Sequence, residues 1–181
     1  MNCGRIQKTV LSALFLALGF ILPMLTGQVP AIGKMLLPMH IPVFICAFVC
    51  DWKYGATVGF VLPLLRSLLF SVPVMYPTAI AVAFEMAAYG MFAGLFYERF
   101  RRKNIVSLYF SMLPAMLLGR IVRCGAEIVL LGFSDNAFVW KAFFTGVILN
   151  AIPGILLQLF VVPAVVLMLQ KSKAAQWRER F

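Results

Sequence analysis

Long apolar runs alternate with short polar stretches over the whole chain, and within the runs no period of two separates one face from the other. Runs that approach about 20 mainly apolar residues read as membrane-crossing helices. The pattern predicts six spans, at about 8–26, 37–50, 54–71, 78–97, 105–132 and 139–169, in a single all-α membrane domain over 1–181. The first run follows Arg5 and Lys8 without a convincing small-residue cleavage site, so it reads as a retained helix. Within it Ala13 and Ala17 lie one turn apart, a spacing that lets a second helix approach closely.

Breaks in the pattern are as informative as the runs. Gly27–Leu37, GQVPAIGKMLL, is rich in turn formers yet too apolar for a freely solvated loop. It predicts a segment folded over the mouth of the bundle, with Lys34 as its one charge. Pro38 and Pro42 predict an irregular start to the second span, with His40 at a cavity mouth. Asp51-Trp52-Lys53-Tyr54 is an interfacial turn, Gly55/Gly59 and Gly90/Gly94 are close-packing pairs, and Pro114 predicts a break or bend in the fifth span.

Composition narrows the classes. With 63% hydrophobic and 12% charged residues in 181, the chain has no room for a separate soluble domain, so any ATP-hydrolysing domain resides on another chain. The formal charge of +10 does not mark a nucleic-acid binder, because the basic residues punctuate the apolar runs. Six spans put both tails and the connections near 51–53 and 98–104 on one side. Arg5, Lys8, Lys53, Arg99, Arg101, Arg102, Lys103, Lys171, Lys173, Arg178 and Arg180 gather there, which predicts cytoplasmic termini. Cys3, Cys46, Cys50 and Cys124 lack C-x-x-C spacing and read as small apolar residues, and with His40 the only histidine a metal site is short of ligands. Gly27–Met35 imitates a phosphate loop, but it is one residue too long and Met35 stands where a hydroxyl is required.

The remaining basic residues sit inside or across from those runs, and Leu118–Leu131, LGRIVRCGAEIVLL, is the densest case. At about 100° per residue Arg120, Arg123 and Glu127 fall within about 60° of one another, one charged stripe on an apolar helix. Charge at membrane depth requires a partner or a wet cavity. Glu127, one turn on, pairs with Arg123, and Glu85 can neutralise Arg66 or Arg120, so the spans carry one surplus arginine. That surplus fits two readings: an arginine that snorkels or cross-links helices, or a guanidinium that grips an anionic solute bidentately. Asn150 and Gln158 add polar groups at depth, and Trp140 is among the aromatics able to stack on a ring.

The whole pattern resembles the substrate-binding S-components of energy-coupling factor (ECF) vitamin transporters. The resemblance rests on about 180 residues in six spans, Ala13-xxx-Ala17, the apolar loop after it, and the run from Leu36 to Phe70, LLPMHIPVFICAFVCDWKYGATVGFVLPLLRSLLF. It implies a binding protein of the prokaryotic plasma membrane that captures a micronutrient from outside, with 27–37 as a lid. Ala13 and Ala17 would then pack on a transmembrane coupling protein, two cytoplasmic ATPases would supply the energy, and the protein would topple in the membrane to release its solute. The substrate-binding candidates are Arg120, Arg123, Glu127, Glu85, Arg66, His40, Asn150, Lys34 and Trp140. The surplus arginine points to a small carboxylate such as niacin or pantothenate, with another vitamin precursor or haem as alternatives. No cofactor and no catalytic residue is expected. The competing class is a small polytopic enzyme or scaffold subunit using Glu85, Glu127 and His40 as acid and base groups.

Overall fold

The structure, a computed structural model, describes residues 3–25, 38–101, 104–131 and 152–171. Six helices account for nearly all of them: α1 (Cys3–Leu25), α2 (His40–Val49), α3 (Trp52–Phe70), α4 (Ile80–Arg99), α5 (Ile105–Leu131) and α6 (Ile152–Lys171). No strand occurs among the described residues. Three helices, over Gly4–Met24, Met75–Arg99 and Ile105–Leu130, are long and apolar enough to cross a membrane by themselves. The ten residues of α2 make about 15 Å of helix at 1.5 Å per residue, half the hydrocarbon thickness. Nearly every α2 residue is buried, which is why its sequence is apolar on all sides.

Local chemistry explains the helix boundaries. Pro38 and Met39 form a turn, and Pro42 lies in the first turn of α2, where its missing N–H would have no partner in the helix. Asp51 Oδ1 accepts the Trp52 N–H at 2.7 Å, capping α3. Before α4 the chain kinks within Met75–Ala79, where Tyr76 is extended at φ −117° and ψ 131°, and the Tyr76 hydroxyl donates to the Leu130 carbonyl, tying this kink to the end of α5. Of the break or bend expected at Pro114, a break does not occur: α5 is helical from Ile105 to Leu131 with Pro114 inside it. One missing N–H is a local loss that packing against α4 and α6 outweighs.

Close approach of α3, α4 and α5 supplies the framework. The α3–α4 and α4–α5 contacts are the most extensive in the molecule, while α2 is enclosed by α1, α3, α4 and α6. A Cβ on Gly90 would strike the backbone of Gly55 and Ala56, one on Gly59 the backbone of Met86 and Ala87, and one on Gly94 that of Trp52. Gly59, Gly90 and Gly94 therefore face the α3–α4 interface, whereas a Cβ on Gly55 would strike Ala47 of α2. Gly90→Ala is expected to destabilise the protein by about 3 kcal/mol, because backbone cannot move aside as a flexible side chain would. The thermal midpoint of the detergent-purified protein measures this, with Gly125→Ala as the control. Nothing lies within 4 Å of a Cβ at Gly125, so that change keeps or raises stability through helix propensity.

The two ends of the bundle differ in chemistry. At one end Lys8 Nζ lies 3.6 Å from Asp51 Oδ2, joining α1 to the start of α3. Burial alone would raise the Asp51 carboxyl, but hydrogen bonds with Glu98 and the Trp52 N–H and the nearby Lys8 outweigh it and hold the carboxyl below its ordinary value. Its contribution to stability is thus present above the ordinary carboxylate range and lost as pH falls through the lowered value. Arg5, Lys53, Arg99 and Arg101 belong to this same end. The opposite end carries the C-termini of α1, α3 and α5 and the starts of α2 and α4, and among the described residues its ionisable groups, Arg66, Glu85, Arg120, Arg123, Glu127 and His40, are buried or half-buried.

Candidate functional site

Glu85 sits less than two turns into α4 and its side chain is fully buried. An isolated carboxylate there would be prohibitively costly, so the surrounding elements supply donors. From α5, Arg123 Nη1 lies 2.9 Å from Glu85 Oε2 and Arg120 Nε lies 3.3 Å from Oε1. One turn along α4, the Tyr89 hydroxyl donates to Oε1 at 2.6 Å. Arg123 also uses Nε, 2.8 Å from Glu127 Oε1. Two guanidiniums and two carboxylates thus form a charge-balanced chain running Arg120–Glu85–Arg123–Glu127, with Arg123 as its bridge.

Packing holds this chain in register. Gly119, immediately before Arg120, is where α5 rides over α4, because a Cβ there would strike the Tyr89 ring and come 3.2 Å from the Glu85 carbonyl oxygen. Phe44 of α2 stacks on Tyr89 with centroids 5.4 Å apart, and His40 at the start of α2 lies 5.5 Å from the same ring. His40 is 2% exposed and close enough to act electrostatically on Glu85. The polar chain is therefore walled by α2, α4 and α5 at the end of the bundle opposite Lys8 and Asp51. Exposure is graded along it: Glu85 is covered, whereas Arg120, Arg123 and Glu127 keep 17%, 15% and 14% of their side-chain surface.

The structure brings together five of the residues expected from the sequence: Arg120, Arg123, Glu127, Glu85 and His40. Arg66 is not among them. It points from α3 toward α1, where Nη1 donates to the Phe20 carbonyl at 3.2 Å and the guanidinium lies 5.6 Å from the Phe70 ring centre. Of the two partners expected for Glu85, Arg66 or Arg120, the structure selects Arg120 and excludes Arg66: Glu85 projects from α4 toward α5, and both of its oxygens are taken by Arg120 and Arg123. Lys34, Trp140 and Asn150 lie outside the described residues. Gln158 is buried on α6. Tyr89 was not singled out from the sequence, although its spacing of four from Glu85 is a legible signal.

Ala13 and Ala17 occupy an exposed strip of α1 together with Val10, Leu14 and Ile21. Cys46 in α2 and Cys50 at its C-terminal cap are buried, and no group of three metal-ligating side chains occurs among the described residues. What the site can do chemically follows from its donors. It presents planar guanidiniums held by carboxylates, with an aromatic floor of Tyr89 and Phe44, and so suits the exchange of one carboxylate for another around an arginine.

Comparison with protein families matches residues 7–166 to the family described as ECF transporter, substrate-specific component. No curated protein and no solved structure matches the chain.

Proposed function

The chain belongs to the substrate-specific components of ECF transporters, and we propose that it captures a small carboxylate solute, niacin- or pantothenate-like, from outside the cell membrane. As a member of that family it is a transporter subunit rather than an enzyme, and it works with an ECF module of transmembrane coupling component and ATPases. The observation that carries the carboxylate reading is the Arg120–Glu85–Arg123–Glu127 chain behind α2. Its Arg120–Glu85 contact, 3.3 Å, is the longest of the three and involves the most exposed of these side chains. An incoming carboxylate replaces that contact at least cost, while Arg123 continues to neutralise Glu85. Tyr89 and Phe44 offer an apolar face to the body of the solute, with His40 beside them.

The positive-inside pattern supports the direction of capture. Lys8, Lys53, Arg99 and Arg101 lie at the end away from the chain of charges, so the solute site faces outward when the basic end is cytoplasmic. Native mass spectrometry of the purified protein, with nicotinate and pantothenate added in turn, tests the substrate class. One retained equivalent of a carboxylate supports it, and retention only of neutral or cationic vitamins sinks it.

Coupling has its own test. In this reading the exposed Ala13/Ala17 strip docks on the coupling component, since two small residues one turn apart admit a helix at close range. Ala13→Trp or Ala17→Trp is expected to abolish co-purification of the coupling component and transport, while solute binding stays within about twofold of the parent. Normal co-purification in both variants would remove the strip from the interface.

A further inference from the structure

Counting charges by location gives Arg66 a different standing from the other buried arginines. Arg120 and Arg123 are matched by Glu85 and Glu127. Arg66 is 3% exposed and has no carboxylate within ion-pair distance among the described residues. Of its five N–H donors, one meets the Phe20 carbonyl, and its buried Nε has no acceptor. The Phe70 ring beneath it supports a cation but does not neutralise one. A buried guanidinium in this state carries its desolvation cost without the ion pair that would offset it.

We infer that Arg66 is an oxyanion site, separate from the Glu85 cluster, that takes a carboxylate or phosphate group at the ends of α1 and α3. The position suits the role. Arg66 lies one turn before the end of α3, beside the last turns of α1, at the same end of the bundle as His40. Gly19, next to Phe20, lets α1 approach the Leu62 side chain one turn below Arg66, which holds the two helices together beneath the guanidinium. Guanidinium geometry matches a planar carboxylate or two phosphate oxygens equally. A soluble carboxylate or phosphate and the phosphodiester of an anionic lipid therefore share this chemistry. The existence of the site does not depend on the transport reading; which anion fills it does.

The alternative is an arginine that only ties α3 to the Phe20 carbonyl, helped by the negative C-terminal ends of α1 and α3. The two roles predict opposite signs. For delipidated protein in detergent, Arg66→Met is expected to raise the thermal midpoint by about 2–4 °C, because an uncompensated charge is replaced by a side chain of similar length. Phosphatidylglycerol, potassium phosphate and pantothenate are then titrated singly. At least one is expected to stabilise the parent and Arg120→Ala alike and to leave Arg66→Met unmoved, with Arg66→Lys showing a reduced response. A response confined to phosphatidylglycerol assigns the lipid phosphodiester, and one to phosphate or pantothenate assigns a soluble anion. The inference is overturned if Arg66→Met melts lower than the parent and both respond equally to all three probes. Loss of pantothenate binding in Arg120→Ala alone belongs to the cluster and tests the carboxylate-capture reading.

Discussion

Replacing Glu85 by Leu is expected to lower the thermal midpoint of the purified protein by about 10 °C, the largest stability effect of any single change in the charged cluster. Glu85 is the fully buried member, and it serves Arg120, Arg123 and the Tyr89 hydroxyl. Its removal leaves two guanidiniums to the single carboxylate of Glu127 and takes the acceptor from a phenol that is itself 2% exposed. Breaking a buried ion pair from one side costs about 3–5 kcal/mol, and each kcal/mol moves the midpoint of a chain this size by about 2–4 °C. Glu85→Gln is expected to fall between the parent and Glu85→Leu, since an amide oxygen still accepts from Tyr89. Adding Arg120→Leu to Glu85→Leu recovers part of the loss, and the size of the recovery is the coupling between them. A drop below about 2 °C for Glu85→Leu would contradict the buried network.

The largest functional effect is expected at the other end of the same contact. Arg120→Ala should weaken carboxylate binding by roughly 30- to 5,000-fold, the equivalent of the 2–5 kcal/mol attached to one partner of a desolvated charge pair. Stability should fall much less than in Glu85→Leu, because Arg123 still meets Glu85 at 2.9 Å. Arg120→Lys keeps the charge but loses the planar fork, and an intermediate affinity is expected. Equilibrium titration with nicotinate and pantothenate, alongside melting curves for each variant, separates the two effects. Unchanged affinity in a folded Arg120→Ala protein would remove the carboxylate from Arg120 and leave the cluster as scaffold. Arg123 is the poorer probe. It bridges both carboxylates, so its loss confounds folding with binding.

Much of this architecture was legible from one chain. Six helices, the all-α membrane class, and the glycine pairs that let α3 and α4 meet all follow from run length and spacing. The Arg123–Glu127 pair follows from helical geometry, because residues four apart share a face wherever the helix sits. Of the irregular start expected at Pro38 and Pro42, the structure shows a turn at Pro38 and Met39, whereas Pro42 is accommodated in the first turn of α2, where its missing N–H has no helical partner to lose. Of the break or bend expected at Pro114, the break is overruled for the converse reason. A missing hydrogen bond is weighed against packing on α4 and α6, which no local pattern contains.

Pairing between helices belongs to the second class. The sequence by itself determined that three arginines and two carboxylates lie in the apolar runs and that one positive charge is left over, because counting requires no geometry. Only the tertiary structure decided that the surplus falls on Arg66 and not on Arg120. Glu85 points across the α4–α5 interface, where Gly119 lets the helices close, and Arg66 points the other way, to Phe20 of α1. Rotation of a helix about its axis sets which neighbour a side chain meets. In a chain this apolar, where hydrophobic faces are not distinguished from lipid-facing ones by composition, that rotation is fixed by packing alone.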